Sequence, residues 1–233
     1  MNGFDSNSER DDIAADTPPL EASTSTFPWP PDERDSVVDA WARTWHGASL
    51  TPRVFFSLMP HAGSLGAAVL YYLSIGIAVA GARLFWAMAG GADDLPMAAT
   101  VGGADAIAPW SPLIEFLTAP VILLLSLFIA AGVTHVFLKV LGGTQRGGGS
   151  YDTTARVFAY SYSPQILGII PVIGAIAGFV WMVVVAIAGL REAHRTTTGR
   201  AAAAVLVPLT LGLAFVALAE LIVRLGGLLE LPV

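Results

Sequence analysis

Apolar positions run without a charge through four long stretches of this chain, and the polar positions between them fall in clusters. Ala62–Ala82, Phe116–Thr134, Val157–Leu190 and Ala201–Ala219 hold no Asp, Glu, Lys or Arg. A helix needs about 20 apolar residues to cross a bilayer's hydrocarbon core, so each stretch reads as membrane-spanning. Val157–Leu190 is the ambiguous one. As a single helix it would be about 50 Å long, and Pro164 and Pro171 interrupt it. A hairpin turning at Ile170-Pro171-Val172-Ile173-Gly174 gives two short spans; one span plus a re-entrant segment is the alternative. The predicted fold is all-α, a polytopic membrane helix bundle. Its five transmembrane helices are expected near 62–88, 112–140, 154–170, 173–190 and 201–223.

Ahead of the first span the pattern changes. Residues 1–26 are rich in Asp, Ser, Thr and Pro and offer little to bury, so they are expected to be a disordered acidic cytosolic tail. It is either a solubilising tail or a docking site for a basic partner. The region 27–60 is expected to form interfacial or cytosolic helices. Asp32–Ala48 has acids in its first turn, and Val37, Val38, Trp41 and Trp45 share one face at helical spacing. That face suits either the headgroup layer or packing against the protein. Thr51 with Pro52 marks the start of a short apolar helix containing Val54, Phe55 and Phe56, which Pro60 stops.

Charge orients the spans. Residues 1–40 hold ten acids and two arginines, a net of −8; the remainder, with eight acids and ten bases, carries +2. The bases cluster at Arg34, Arg43 and Arg53, at Lys139, Arg146 and Arg156, and at Arg191, Arg195 and Arg200. The loop at 90–112 and the turn at 171–174 have none. With five spans this alternation places the N-terminus in the cytoplasm and the C-terminus outside. No cleavable signal peptide is visible, since the first apolar run starts after residue 60. Abundant Ala, Gly, Val and Arg beside a single Lys point to a high-GC bacterium, and so to a bacterial inner membrane.

The chemistry in this frame is sparse. The chain has no Cys and four scattered His, so no metal, disulfide or cofactor is expected. Protease and hydrolase motifs are missing, and so is the Lys-Ser/Thr that a phosphate loop would need after Gly147-Gly148-Gly149. The chain is therefore not expected to be an enzyme or to bind nucleic acid. His135 and Lys139 share a face near the end of the second span, at a depth similar to Ser161, Tyr162 and Gln165. Either a polar relay or a surface anchor fits them. Candidate functional residues are His135, Lys139, Gly142, Gly143, Arg146, Gly149, Tyr151, Arg156 and Tyr160. Arg83 with Glu115 could pair between helices or snorkel outward, and Glu220 with Arg224 has the spacing of an ion pair within one helix. Gly174 and Gly178 have a spacing that lets helices approach, though one that arises easily in a chain with 24 glycines.

In order and spacing, several short motifs resemble bacterial members of the Yip (Ypt-interacting protein) domain family. They are Phe27-Pro28-Trp29, Thr51-Pro52-Arg53-Val54-Phe55-Phe56 with Met59-Pro60, and His135 with Leu141-Gly142-Gly143. Gly147-Gly148-Gly149-Ser150-Tyr151 follows, leading to Thr154-Ala155-Arg156 and Ala159-Tyr160, then Pro171-Val172-Ile173-Gly174 and Gly189-Leu190-Arg191-Glu192-Ala193-His194. The resemblance covers about residues 27–227 and implies five spans with a cytosolic N-terminus. Its eukaryotic members act in vesicle traffic with Rab-type GTPases; the Asp-Leu-Tyr-Gly-Pro motif of some of them is absent here. The expected function is a membrane scaffold or adaptor working through protein–protein contacts in or at the bilayer, with membrane or cytosolic proteins, or a second copy of itself, as partners. The alternative is a small transporter or channel with a polar path near His135, Lys139, Tyr160 and Gln165.

Overall fold

The computed structural model describes residues 27–33, 35–60, 62–89, 111–144 and 149–229, with side chains described to residue 225. The tail at 1–26, the loop at 90–110 and Arg146 lie outside the described residues. Among those described, all regular structure is helical: α1 (Val37–Leu50), α2 (Pro52–Ser57), α3 (Leu65–Met88), α4 (Ser111–Val140), α5 (Tyr151–Ser161), a 3-10 helix (Ser163–Ile169), α6 (Ile173–Ala193) and α7 (Thr198–Leu229). Among the described residues, four helices, α3, α4, α6 and α7, are long and apolar enough to cross a membrane.

Local capping sets most boundaries. α3 starts three residues later than the apolar run because Ser64 Oγ accepts the Ala67 N–H at 3.1 Å. α7 starts three residues earlier than expected because Thr197 Oγ1 accepts the Arg200 N–H at 3.3 Å. α1 begins at Val37 rather than Asp32, since Asp32–Asp35 close a turn of their own (Asp35 N–H to Asp32 O, 2.9 Å). Thr51 caps α2 with no side-chain bond; its hydroxyl donates back to Gly47 O at 3.3 Å.

The face of α1 also differs from expectation. Val37 and Val38 are exposed, and the buried stripe is Ala40, Thr44 and Ala48. Small side chains let α1 approach closely, and the flanking indoles fasten it. Trp41 Nε1 donates to Ser74 Oγ at 2.8 Å, and Trp45 Nε1 donates to Ser163 O at 3.1 Å. Trp181 Nε1 on α6 donates to Ser49 O at 2.7 Å. Of the two settings open to the tryptophan face, packing against the protein is the one that Trp41 and Trp45 adopt.

The largest departure is at 154–170, expected as one short transmembrane helix. It is an 11-residue α-helix followed by a 7-residue 3-10 helix. Pro164 has no N–H to continue the ladder, and Gln165 N–H closes an i→i+3 bond to Tyr162 O at 2.9 Å. Side chains secure the break: the Ser163 hydroxyl donates to Tyr160 O at 2.6 Å and pairs with the Tyr71 hydroxyl at 2.8 Å. The turn into α6 is a γ-turn at Val172, with φ 60° and ψ −73°, closed by Ile173 N–H to Pro171 O at 2.7 Å.

α6 then runs back against the 3-10 helix at backbone contact. A Cβ on Gly174 would lie 1.9 Å from Leu167 O, and one on Gly178 would lie 2.8 Å from Pro164 O. The Gly174/Gly178 spacing is thus used. Because the opposing atoms are backbone, they cannot rotate away. Gly174→Ala is expected to cost about 2 kcal/mol through overpacking. Gly212→Ala, with nothing within 4 Å of the new methyl, is the control. Equal unfolding midpoints for the two variants in detergent would refute the close contact.

Candidate functional site

The groups that carry chemistry gather at one end of the bundle, where α4 and α6 finish and α5 begins. Both long helices end in the same way. Gly142 adopts φ 67°, Gly143 N–H returns to Leu138 O at 2.7 Å and Gly142 N–H to Lys139 O at 3.0 Å. This is a Schellman cap, and the left-handed residue in it favours glycine. Gly143 packs so tightly on Leu138 that a Cβ would lie 2.4 Å from Cδ1. α6 closes through Thr196 N–H to Arg191 O at 3.0 Å and Arg195 N–H to Glu192 O at 3.2 Å, with Arg195 at φ 49°. The sharp turn leaves His194 aimed inward, fully buried. α5 starts beside them with Ser150 as N-cap, its Oγ accepting the Thr153 N–H at 3.4 Å.

These ends meet in a polar chain. His135 Nδ1 lies 2.8 Å from Thr154 Oγ1, which lies 2.9 Å from His194 Nε2. A hydroxyl has one proton, so it can donate to one imidazole and accept from the other. His194 Nδ1 is buried with no partner among the described residues. A bare lone pair there costs less than an orphaned N–H. The arrangement that satisfies this is His194 Nε2–H donating to Thr154, and Thr154 donating to His135 Nδ1. Burial first, and the neighbouring His135 second, push the His194 pKa down from 6.5 to about 4. His194 is therefore neutral at physiological pH. Gly149 makes room for its ring, since a Cβ would lie 2.1 Å from Nδ1. Tyr151 stands edge-on to His135 at 6.0 Å between centroids and donates its hydroxyl to Phe128 O at 3.1 Å.

One turn along α5, Arg156 is buried at 1 % exposure. Its Nε donates to Asp152 Oδ2 at 2.9 Å, and Nη1 donates to Pro60 O at 2.7 Å. The guanidinium so ties α5 to the segment leading into α3. Gly63 lies against it, too close for any side chain. Tyr160, one turn further, sits among Phe27, Phe55 and Tyr71 with ring centroids 5.3, 5.4 and 5.6 Å away. A cavity of about 240 Å³ opens between these residues and the Phe27–Asp32 segment.

Of the sequence candidates, Tyr151, Arg156 and Tyr160 thus lie on α5, Gly149 just precedes it and His135 bonds to it through Thr154. Gly142 and Gly143 belong to the α4 cap, where Gly142 O accepts Arg200 Nη1–H at 3.1 Å. Lys139 is exposed, and among the described residues no hydrogen bond joins it to His135. Gln165 Nε2 donates to Met182 Sδ at 3.6 Å. The four residues of the expected polar path therefore occupy separate surroundings. Arg83 and Glu115 form no ion pair among the described residues, whereas Arg224 Nε and Glu220 Oε2 lie 3.8 Å apart. Thr154 and His194, quoted above only within the family pattern, complete the chain. Nothing local marks a histidine after a helix end as buried.

The Yip1 domain profile matches residues 47–219, from the end of α1 through most of α7. This chain belongs to the Yip1 domain family. No curated protein and no solved structure matches it. The Yip1 match takes in His135, Thr154, Arg156 and His194, so the buried polar chain lies inside the family domain. With its four apolar helices, this Yip1-family chain is a membrane protein.

Proposed function

We propose that this protein is a non-enzymatic scaffold or adaptor of the bacterial inner membrane, crossing it five times with the N-terminus in the cytoplasm and the C-terminus outside. It works through protein–protein contacts at the cytosolic end. The observation that supports this reading most is how the polar groups at that end are used. His135, Thr154, His194 and Arg156 are engaged with neighbouring helices and caps, which makes a rigid platform. Lys139, Arg43 and Arg53 are exposed around it.

Five crossings are supported by length. Tyr151–Ser161 and Ser163–Ile169 together rise about 30 Å, the thickness of the hydrocarbon core. They run antiparallel beside α6, with Leu167 against Gly174 and Val157 against Gly189. α1 is held on the side of the bundle by Trp41, Trp45 and Trp181, and Val37, Val38, Leu50 and Val54 are left exposed on α1 and α2.

Two measurements test this. A topology reporter fused after Val233 should report the outside, and one after Gly199 the cytoplasm. A cytoplasmic C-terminus would remove the five-span reading. A photocrosslinker placed at Lys139 or Arg43 in native membranes should capture discrete protein adducts. Capture of lipid alone from both positions would remove the adaptor reading.

A further inference from the structure

The end of the bundle that holds the His135–Thr154–His194 chain carries exposed positive charge at Lys139, Arg195 and Arg200. Arg200 Nη1 donates to Gly142 O at 3.1 Å, and Gly142 N–H donates to Lys139 O at 3.0 Å, so both bases flank the α4 cap. Arg195 follows His194, which Thr154 links to His135, one turn before Lys139. Between 140 and 200 the chain holds two acids, and both are taken. Asp152 pairs with Arg156 at 2.9 Å and Glu192 with Arg191 at 3.7 Å. None of the three exposed bases forms an ion pair among the described residues.

The matching charge lies in the same chain. Residues 1–26, outside the described residues, hold six acids and one base, and four of the acids fall between Glu9 and Asp16. This segment joins the described chain at Phe27, whose ring lies 5.3 Å from that of Tyr160. Tyr160 is about 14 Å along α5 from its start at Tyr151. Trp29 Nε1 donates to Ala67 O at 2.7 Å, in the first turn of α3. α3 and α4 run antiparallel, with Tyr72 against Leu123 and Gly81 against Phe116, so α3 starts at the end where α4 stops. The segment is therefore rooted at the basic end of the bundle, whichever way the bundle faces a membrane. Its 26 residues reach up to about 85 Å, and packed helices lie only about 10 Å apart, so length does not limit the contact. The covalent tether makes the encounter intramolecular, an advantage that no free anion has.

We propose that residues 1–26 are an internal cover for this basic end, with the acids between Glu9 and Asp16 lying over Lys139, Arg195 and Arg200. The contact is electrostatic, and an acidic partner segment reaches the bases by displacing the cover. Nothing in this contact depends on the adaptor reading: it needs the tail and the bases at one end of the bundle, and no second protein.

The test uses the chain's single lysine. A zero-length carbodiimide joins a carboxylate to an amine and leaves arginine alone, so an amide from an acid of the tail to the bundle must end at Lys139. The full-length protein is treated in nanodiscs of phosphatidylcholine, alone or mixed with phosphatidylglycerol. Ordinary and isotope-labelled protein are mixed beforehand, and the linked peptides are read by mass spectrometry. Peptides joining residues 1–26 to Lys139 within one copy are expected in both bilayers. Their yield should fall about fivefold in about 1 M salt, where the screening length is about 3 Å. It should fall about two- to threefold in Arg195→Gln, which removes one exposed charge and keeps Lys139. Absence of such peptides at low salt would overturn the proposal. Links formed only between copies would do the same, as would a yield unchanged by salt or by Arg195→Gln. A link that forms in phosphatidylcholine and is lost with phosphatidylglycerol would overturn the tail as occupant and give the basic end to anionic lipid headgroups.

Discussion

Arg156→Met is expected to destabilise the detergent-solubilised protein by about 2–4 kcal/mol. The methionine replaces most of the volume but none of the donors. Pro60 O loses its charge-assisted partner, and the join between α5 and the start of α3 loses its fastener. The cost stays below that of breaking a fully buried ion pair, because the Asp152 side chain is 41 % exposed and water can solvate the carboxylate left behind. Asp152→Asn keeps an oxygen that can accept from Nε but leaves the buried guanidinium without its counter-charge, so it should cost about 1–3 kcal/mol. Arg156→Lys should recover little. A point charge on a flexible stem cannot reach Asp152 and Pro60 O together as the planar fork does. Equilibrium unfolding of the three variants checks the ranking; a methionine variant as stable as wild type would show that Arg156 fastens nothing.

Acid should destabilise the protein through His194. Its folded pKa of about 4 lies below the unfolded 6.5, so the unfolded chain binds the extra proton. The stabilising contribution is complete above pH 6.5, shrinks as pH falls through the window from 6.5 to about 4, and is gone below it. The whole window is worth about 3 kcal/mol. The groups facing His194 are Thr154 from α5 and His135 from α4, with Gly149 against the ring. None can accept a proton's charge without cost. His194→Gln keeps a polar group near Thr154 but cannot titrate, so its stability should fall less between pH 7.5 and 4.5. The same loss in wild type and variant would place the acid sensitivity elsewhere.

Much of this architecture was legible because its causes are local. Uninterrupted apolar length marks the crossing helices. Thr51 with Pro52 marks the start of α2 within one turn, and the end of α4 at Val140 needs only its own last turn. The misreadings have local roots too. Val37 and Val38 have the spacing of a buried face, but Ala40, Thr44 and Ala48 are the smaller residues, and closeness of approach selected them instead. Pro164 and Pro171 announced a break between 157 and 190 without saying that the residues between them would wind as a 3-10 helix.

By itself the sequence determined the all-helical membrane class and the Yip1 family pattern, because hydrophobic length acts over a few neighbouring residues. Only the tertiary structure decided which polar groups meet. His135, Thr154 and His194 are 19 and 40 residues apart along the chain, and Arg156 reaches Pro60 across 96. Whether a side chain is buried depends on what packs over it. For Arg156 and His194 those neighbours come from distant segments, and no periodicity in their own helices records it.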